Sequence, residues 1–424
     1  MKQKKILLNM VIAASVLGFA ANSAAEAPDQ ERLGKSAAYP IGNAGNWFLQ
    51  EWYRVGSFTH QAEIPDLYKG KVNRLLAADK TRVLALPKAA NEPDYRWHLP
   101  DQKNLKIDDF LARQRIMGLL IIKDGEIQLE RYQYQRNATQ LFTSQSMAKS
   151  ITSLALGLAL SEAKIKSLSD SVVTYVPEIE GSAFAELKIQ DLLRMSAGLA
   201  CRQVYDGKDD NARFSAAIRA KDIEHAAFSL SIQEFKPGSR FHYCSPNTHI
   251  LSSVLRHATG QTLAEYLTPR LWQAIGAEND AYWRADRHGT EVAGGNFNAT
   301  LRDYGRLGVV LANNGVRPDD SAARQIIPLD YLLEATDAKQ VPQAFKPGQA
   351  TPYFGYGYQF WLYPGAKRRF ALIGVFGQAM FIDPELHLVM LMTAANATAS
   401  AAETSLARER DALWRGVVQH YGPW

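Results

Sequence analysis

Ser146 and Lys149 stand three residues apart in the run Thr143-Ser144-Gln145-Ser146-Met147-Ala148-Lys149-Ser150, which opens an apolar stretch reaching Leu160. At helical spacing the hydroxyl and the amine lie about one turn apart on one face. The unpaired amides and partial positive charge of a helix N-terminus favour an anion that develops there. These features describe an activated nucleophile: a buried helix as platform, an exposed first turn, and a lysine that can move a proton. The spacing alone is not specific. It recurs at Ser161 and Lys164, where a solvated helix end is the plainer account.

The platform is the helix itself, with Ile151, Leu154, Ala155, Leu158, Ala159 and Leu160 apolar on nearly every side, as a helix through a core requires. Upstream, residues 117–122 predict a buried strand, Lys123-Asp124-Gly125 a turn, and residues 127–132 an alternating strand. Downstream, a short helix over 172–176 ends at Pro177, and a helix over 189–195 is stopped by Gly198. Residues 205–230, polar and Ala-rich, predict a helical lid or specificity region. Further helices are expected over 247–258 and 263–275, then a tight turn at 294–297 before a helix over 301–313.

Strands return at 356–362, 369–373, 378–382 and 388–393, ahead of a closing helix over 401–421. Strands at both ends with helices between give an α+β fold: one antiparallel β-sheet flanked by helices, with a mostly helical insertion. Residues 26–106 are broken by prolines and carry Trp47-Phe48, Trp52-Tyr53 and Tyr95-Arg96-Trp97. They predict an arm that wraps the main domain of residues 107–424 and anchors through its aromatics. A substrate-pocket role for those aromatics is the less favoured reading.

Lys2, Lys4 and Lys5 precede an apolar run over 6–20 and then small residues to Ala25, the order of a secretory signal over residues 1–25. The run is short for a membrane span and is interrupted by Asn9. Export to a bacterial periplasm or the extracellular space is the expectation, with no membrane span in the mature form. Removing three lysines and no acid lowers the formal charge from +5 to +2, too little to argue for nucleic acid or a membrane surface as partner. In an oxidising compartment the two cysteines, Cys201 and Cys244, are open to a bridge that would pin one wall of the site; two buried thiols are the alternative.

Two further motifs follow Ser146-Met147-Ala148-Lys149 in order: Tyr243-Cys244-Ser245-Pro246-Asn247 and Gly374-Val375-Phe376-Gly377-Gln378. With them the chain resembles the serine hydrolases of the class C β-lactamase and penicillin-binding superfamily, and within it the 6-aminohexanoate-dimer hydrolase branch. The likeness runs from about Met117 to the C-terminus and includes residues 191–198 and 293–296. It implies that Ser146 forms an acyl-enzyme, with Lys149 and Tyr243 as general base and acid. It implies a Tyr243 phenolate or shared proton, which needs Lys149⁺ nearby because a free phenol titrates near 10. Ser245 would bind substrate or orient Lys149, while Asn247 reads as a helix cap. The amide of Val375 would join that of Ser146 in an oxyanion hole, each such donor contributing about 3–4 kcal/mol.

Where penicillin-recognising enzymes carry Lys-Thr-Gly, this chain has Leu372-Ile373-Gly374. The lost cation and hydroxyl argue against efficient β-lactam hydrolysis and for a small or short-oligomer ester or amide. Tyr353, Phe354, Tyr356, Tyr358, Phe360 and Trp361 read as sheet packing, some of them candidates to line an acyl pocket. No Gly-x-Ser-x-Gly elbow occurs, no glycine-rich phosphate loop follows a strand, and His242, His249 and His257 lack compact zinc spacing. No cofactor or metal is expected. The competing expectations are a non-catalytic binding protein for peptide or cell-wall fragments on the same fold, and a D,D-peptidase.

Overall fold

Alternation along the central strands decides the architecture. The computed structural model describes residues 26–65 and 67–424; the signal segment expected over 1–25 lies outside the described residues. Among the described residues eleven strands are formed: β1 Val72–Leu75, β2 Ile116–Lys123, β3 Glu126–Tyr132, β4 Leu141–Thr143, β5 Ala281–Arg284, β6 Phe297–Thr300, β7 Gly355–Tyr356, β8 Trp361–Leu362, β9 Phe370–Ile373, β10 Ala379–Asp383 and β11 Leu388–Ala394. Seven of them make an antiparallel sheet in the order β3-β2-β11-β10-β9-β8-β7. Strand β2 is buried from Ile116 to Ile122 because both its faces are covered. Met117, Leu120 and Ile122 join one core, and Leu119 and Ile121 join the other.

Helix Leu301–Ala312 covers the first face, where Gly305 lies against Leu120 and Ile122, and Gly308 against Val389 and Met380. A Cβ on Gly308 would stand 2.7 Å from Val389, so the helix could not approach this closely with alanine there. Helix Leu406–Tyr421 closes the second face through Leu413, Trp414 and Val417, with Trp414 stacked on Phe381 at 5.7 Å.

The helix that follows Ser146, Met147–Ser161, is buried at every residue from Met147 to Ala159. Each fully buried leucine or isoleucine on it contributes about 1.5–3 kcal/mol. It packs against helix Pro246–Thr259, which starts with a proline and is closed by Gly260 at φ 71°. Among the described residues no helix is long and apolar enough to cross a membrane.

Three expectations are corrected. A second, four-stranded sheet, β1-β5-β6-β4, stands beside the first, and its edge strand β1 comes from the N-terminal arm. Its strands are three or four residues long, too short for alternation to register. The single strand expected over 356–362 is two, β7 and β8, turned between them at Gln359 with φ 66°. The Gln359 amide donates to the carbonyls of Leu192 and Leu193, both at 2.9 Å, and accepts from Thr248, so burial of its polar groups holds the turn. The helix expected over 263–275 stops at Leu267 and continues as a π-turn over Thr268–Trp272, where Pro269 removes a donor.

Candidate active site

Ser146 is the N-cap of its helix and follows Gln145, which is held at φ 44°. A non-glycine residue in the left-handed region costs about 1 kcal/mol or more and marks a backbone held in place by its surroundings. Lys149 lies one turn on, its Nζ 3.0 Å from Ser146 Oγ and hydrogen-bonded to the carbonyl of Gly294. The ammonium is 1 % exposed, and burial brings Lys149 down to about 7 from the usual 10.5. Near neutral pH a large share of this lysine is therefore an uncharged amine beside the serine hydroxyl.

Gly294 is fixed by His249, whose Nδ1 accepts the Gly294 amide at 3.2 Å. A Cβ on Gly294 would stand 2.8 Å from that imidazole, so the contact needs glycine. Burial, helped by the charge on Lys149, brings His249 down to about 3, and the ring stays neutral. Sequence reasoning assigned His249 to surface or core and missed its place against the lysine. The available signal was its spacing of four from Ser245, which puts both on one helical face.

Tyr243 is partly buried, with Lys149 Nζ 5.3 Å from its ring centroid and Trp361 stacked at 5.8 Å. Burial pushes its phenol well above 10; Tyr205 and Tyr356 add to this, and a hydrogen bond with Ser146 opposes it. Of the two forms expected for Tyr243, a phenolate or a shared proton, burial thus disfavours the phenolate. Desolvation favours the uncharged form of both groups, so the tyrosine keeps its proton while the lysine loses one.

The strand side closes on the nucleophile through Gly374. A Cβ there would stand 2.6 Å from the Ser144 carbonyl and 3.0 Å from the Ser146 amide, so only glycine lets the end of β9 come so near. Val375 follows in a short turn over Val375–Gly377, with Phe376 at φ 60°. Among the described residues the amides of Ser146 and Val375 donate to no carbonyl. Both amides are thus left without a backbone acceptor.

Ser245 is tied elsewhere than expected. Gln203 Nε2 donates to Ser245 Oγ at 2.7 Å and to the Tyr205 hydroxyl at 2.8 Å, while Gln203 Oε1 accepts the Ser245 amide at 2.9 Å. Two residues before Gln203, Cys201 is disulfide-bonded to Cys244. Asn247 is not a cap; it lies inside the helix, its amide against Met195 Sδ at 3.7 Å. Gln203 was missed because its role depends on a loop whose path short-range pattern does not encode.

A cavity of about 450 Å³ opens over Ser146, walled by Gln203, Tyr205, Ser245 and Val375, and by Trp47 and Phe48 of the arm. Of the arm aromatics, Trp47 and Phe48 thus stand on the cavity wall, whereas Trp52, Tyr53, Tyr95 and Trp97 do not line it. Of the aromatics at 353–361, none is on this wall; Tyr356 and Trp361 pack behind Tyr243 and Phe241. Among the described residues no cluster suited to a metal ion occurs.

Comparison with known proteins bears on family and fold. A family model described as Beta-lactamase matches residues 105–413. The 6-aminohexanoate-dimer hydrolase of Paenarthrobacter ureafaciens is 24% identical over 281 residues, 65% of this chain and 71% of that protein. The D-aminopeptidase of Brucella anthropi is 25% identical over 261 residues, 56% of this chain and 47% of that one. A solved structure from Bacillus anthracis, named for the same dimer hydrolase, superposes with a TM-score of 0.76 at 24% identity, covering 88% of this chain and 96% of that one.

Proposed function

The chain belongs to the Beta-lactamase family of hydrolases, and from the geometry of its site we propose that it cleaves carboxylic esters or amides through an acyl-enzyme on Ser146. One observation carries the reading: an amine brought to about 7 by burial, 3.0 Å from the Ser146 hydroxyl. The uncharged Lys149 takes the Ser146 proton as Oγ attacks the carbonyl carbon, and still donates to the Gly294 carbonyl. The resulting oxyanion is received by the amides of Ser146 and Val375. Collapse breaks the bond to the leaving group, which takes a proton from Lys149 through the protonated Tyr243. Water then attacks the acyl-enzyme and gives a proton to Lys149; collapse breaks the bond to Oγ and releases a carboxylic acid, and Lys149 returns its proton to Ser146 Oγ.

The surroundings favour neutral carbonyl substrates over β-lactams. On β9 the places of a cation and a hydroxyl are held by buried Leu372 and by Ile373. Residues 26–106 act as an arm of the 107–424 hydrolase domain, supplying β1 and the aromatic wall of the cavity. Export to the periplasm or beyond completes the reading and rests on the charged, apolar, small-residue order of residues 1–25.

The test is intact mass after a fluorophosphonate probe, with Ser146→Ala alongside. A single adduct on the wild type and none on the variant is expected. No adduct on either would replace the enzyme with a binding protein on the same fold.

A further inference from the structure

The far wall of the cavity is one face of helix Asp210–Ala220. Ala212, Ser215, Ala216 and Arg219 recur at helical spacing and all line the cavity. The first three are small and leave a passage; Arg219 ends it, roughly 10 Å further along the helix axis than Ala212. Arg219 is partly buried and lies beside the Tyr68 hydroxyl, a neutral group. The other lining arginine, Arg213, is paired with Asp210.

Asp209 is the one carboxylate on the wall among the described residues, and it is spent on the chain itself. It is 2 % exposed and accepts the amides of Val204, Tyr205 and Ala212 at 2.6–2.8 Å. No carboxylate among the described residues pairs with Arg219. The cavity thus has an apolar strand side at Val375 and a cationic far end. A guanidinium matches a carboxylate in a planar two-bond fork, which an exposed solvent anion does not exploit as well.

We infer that the site takes acyl substrates whose distal end carries a carboxylate, held by Arg219 while the scissile carbonyl lies at Ser146. This rests on the reading of Ser146 as nucleophile. It also moves recognition of the substrate's anion from strand β9, where the cation is absent, to the lid helix. Ser146 and Arg219 both line the cavity, so the inferred substrate carries a spacer between its carbonyl and its carboxylate.

Three p-nitrophenyl esters of like length separate the charges: the monoester of adipic acid, the hexanoate and the 6-aminohexanoate. In the wild type kcat/KM should fall in that order, the anionic ester ahead of the neutral one by roughly ten- to a hundredfold. In Arg219→Met that ratio should fall to about one, and Arg219→Lys should keep part of it; equal ratios in all three proteins would overturn the inference. Adipate binding to Ser146→Ala, read by calorimetry with and without Arg219→Met, tests the subsite apart from the chemistry. Binding lost with the arginine supports the subsite even where no ester is turned over, whereas binding that does not depend on Arg219 refutes it. Failure of the nucleophile reading shows separately, as the absence of a fluorophosphonate adduct.

Discussion

Acidification should silence Ser146 by protonating Lys149, and the size of the effect follows from burial. With the amine at about 7, a pH two units lower leaves about 1% of it uncharged, so phosphonylation of Ser146 should slow roughly a hundredfold between about pH 9 and about pH 5. The assay is the second-order labelling rate by a fluorophosphonate, followed by intact mass across that range, for wild type and Tyr243→Phe. Because Tyr243 holds its proton, Tyr243→Phe should keep the midpoint near 7 while ester turnover falls by orders of magnitude through loss of the proton donor. A flat profile, or a midpoint that leaves this range in Tyr243→Phe, would make tyrosine the base and refute the argument. The same titration has a stability counterpart. The folded lysine sits below its unfolded value of 10.5, so between about 7 and 10.5 the unfolded chain binds more protons, and stability rises with pH across that window. Below about 7 the full cost is present, on the order of 5 kcal/mol as an upper bound. Lys149→Met should therefore raise the melting temperature more below pH 7 than near pH 10; an equal change at both would contradict a buried, depressed lysine.

Two substitutions probe how the site is held. Gly374→Ala would force the end of β9 away from the Ser144 carbonyl and the Ser146 amide, displacing one oxyanion donor; kcat on an ester should drop about 10²–10³-fold, and a change of only a few fold would remove the Val375 amide from that role. Gln203→Leu should lower kcat/KM about tenfold, mostly through KM, by releasing Ser245 and Tyr205, while Gln203→Glu, which still accepts the Ser245 amide, should fall between the two. A kcat effect with unchanged KM would mean that Gln203 acts on the reacting atoms and not on substrate placement.

The parts of this fold that could be read from sequence are those in which periodicity and burial agree. Strand β2, the helix Met147–Ser161 and the strands β10 and β11 are long and apolar enough for their periods to show. The second sheet escaped because β1, β4, β5 and β6 are short and two of its three pairings, β1 with β5 and β4 with β6, join strands distant in sequence. The Ser146–Lys149 pair lies within one helical turn and was legible for the same reason. Their ionisation was not, because it depends on how completely Lys149 and Tyr243 are desolvated, a tertiary property to which Gly294, His249 and Trp361 all contribute.

That dependence explains why, among the described residues, the lysine has no acidic partner. A carboxylate at Lys149 would hold the ammonium proton and raise its pKa, leaving a cation that cannot accept from Ser146. The Gly294 carbonyl instead accepts from Nζ as a dipole, which positions the amine without neutralising a charge. His249 serves the same end: it fixes the Gly294 amide yet stays neutral, so it places no second cation against the lysine. The two close glycine contacts complete the arrangement, Gly294 against His249 behind the base and Gly374 against Ser146 in front of the nucleophile. In the proposed mechanism, activation comes from exclusion of water and counter-charge around one amine. An acid introduced beside Lys149 should therefore shift the labelling midpoint upward by an amount set by its distance, even where it leaves the fold and the nucleophile untouched.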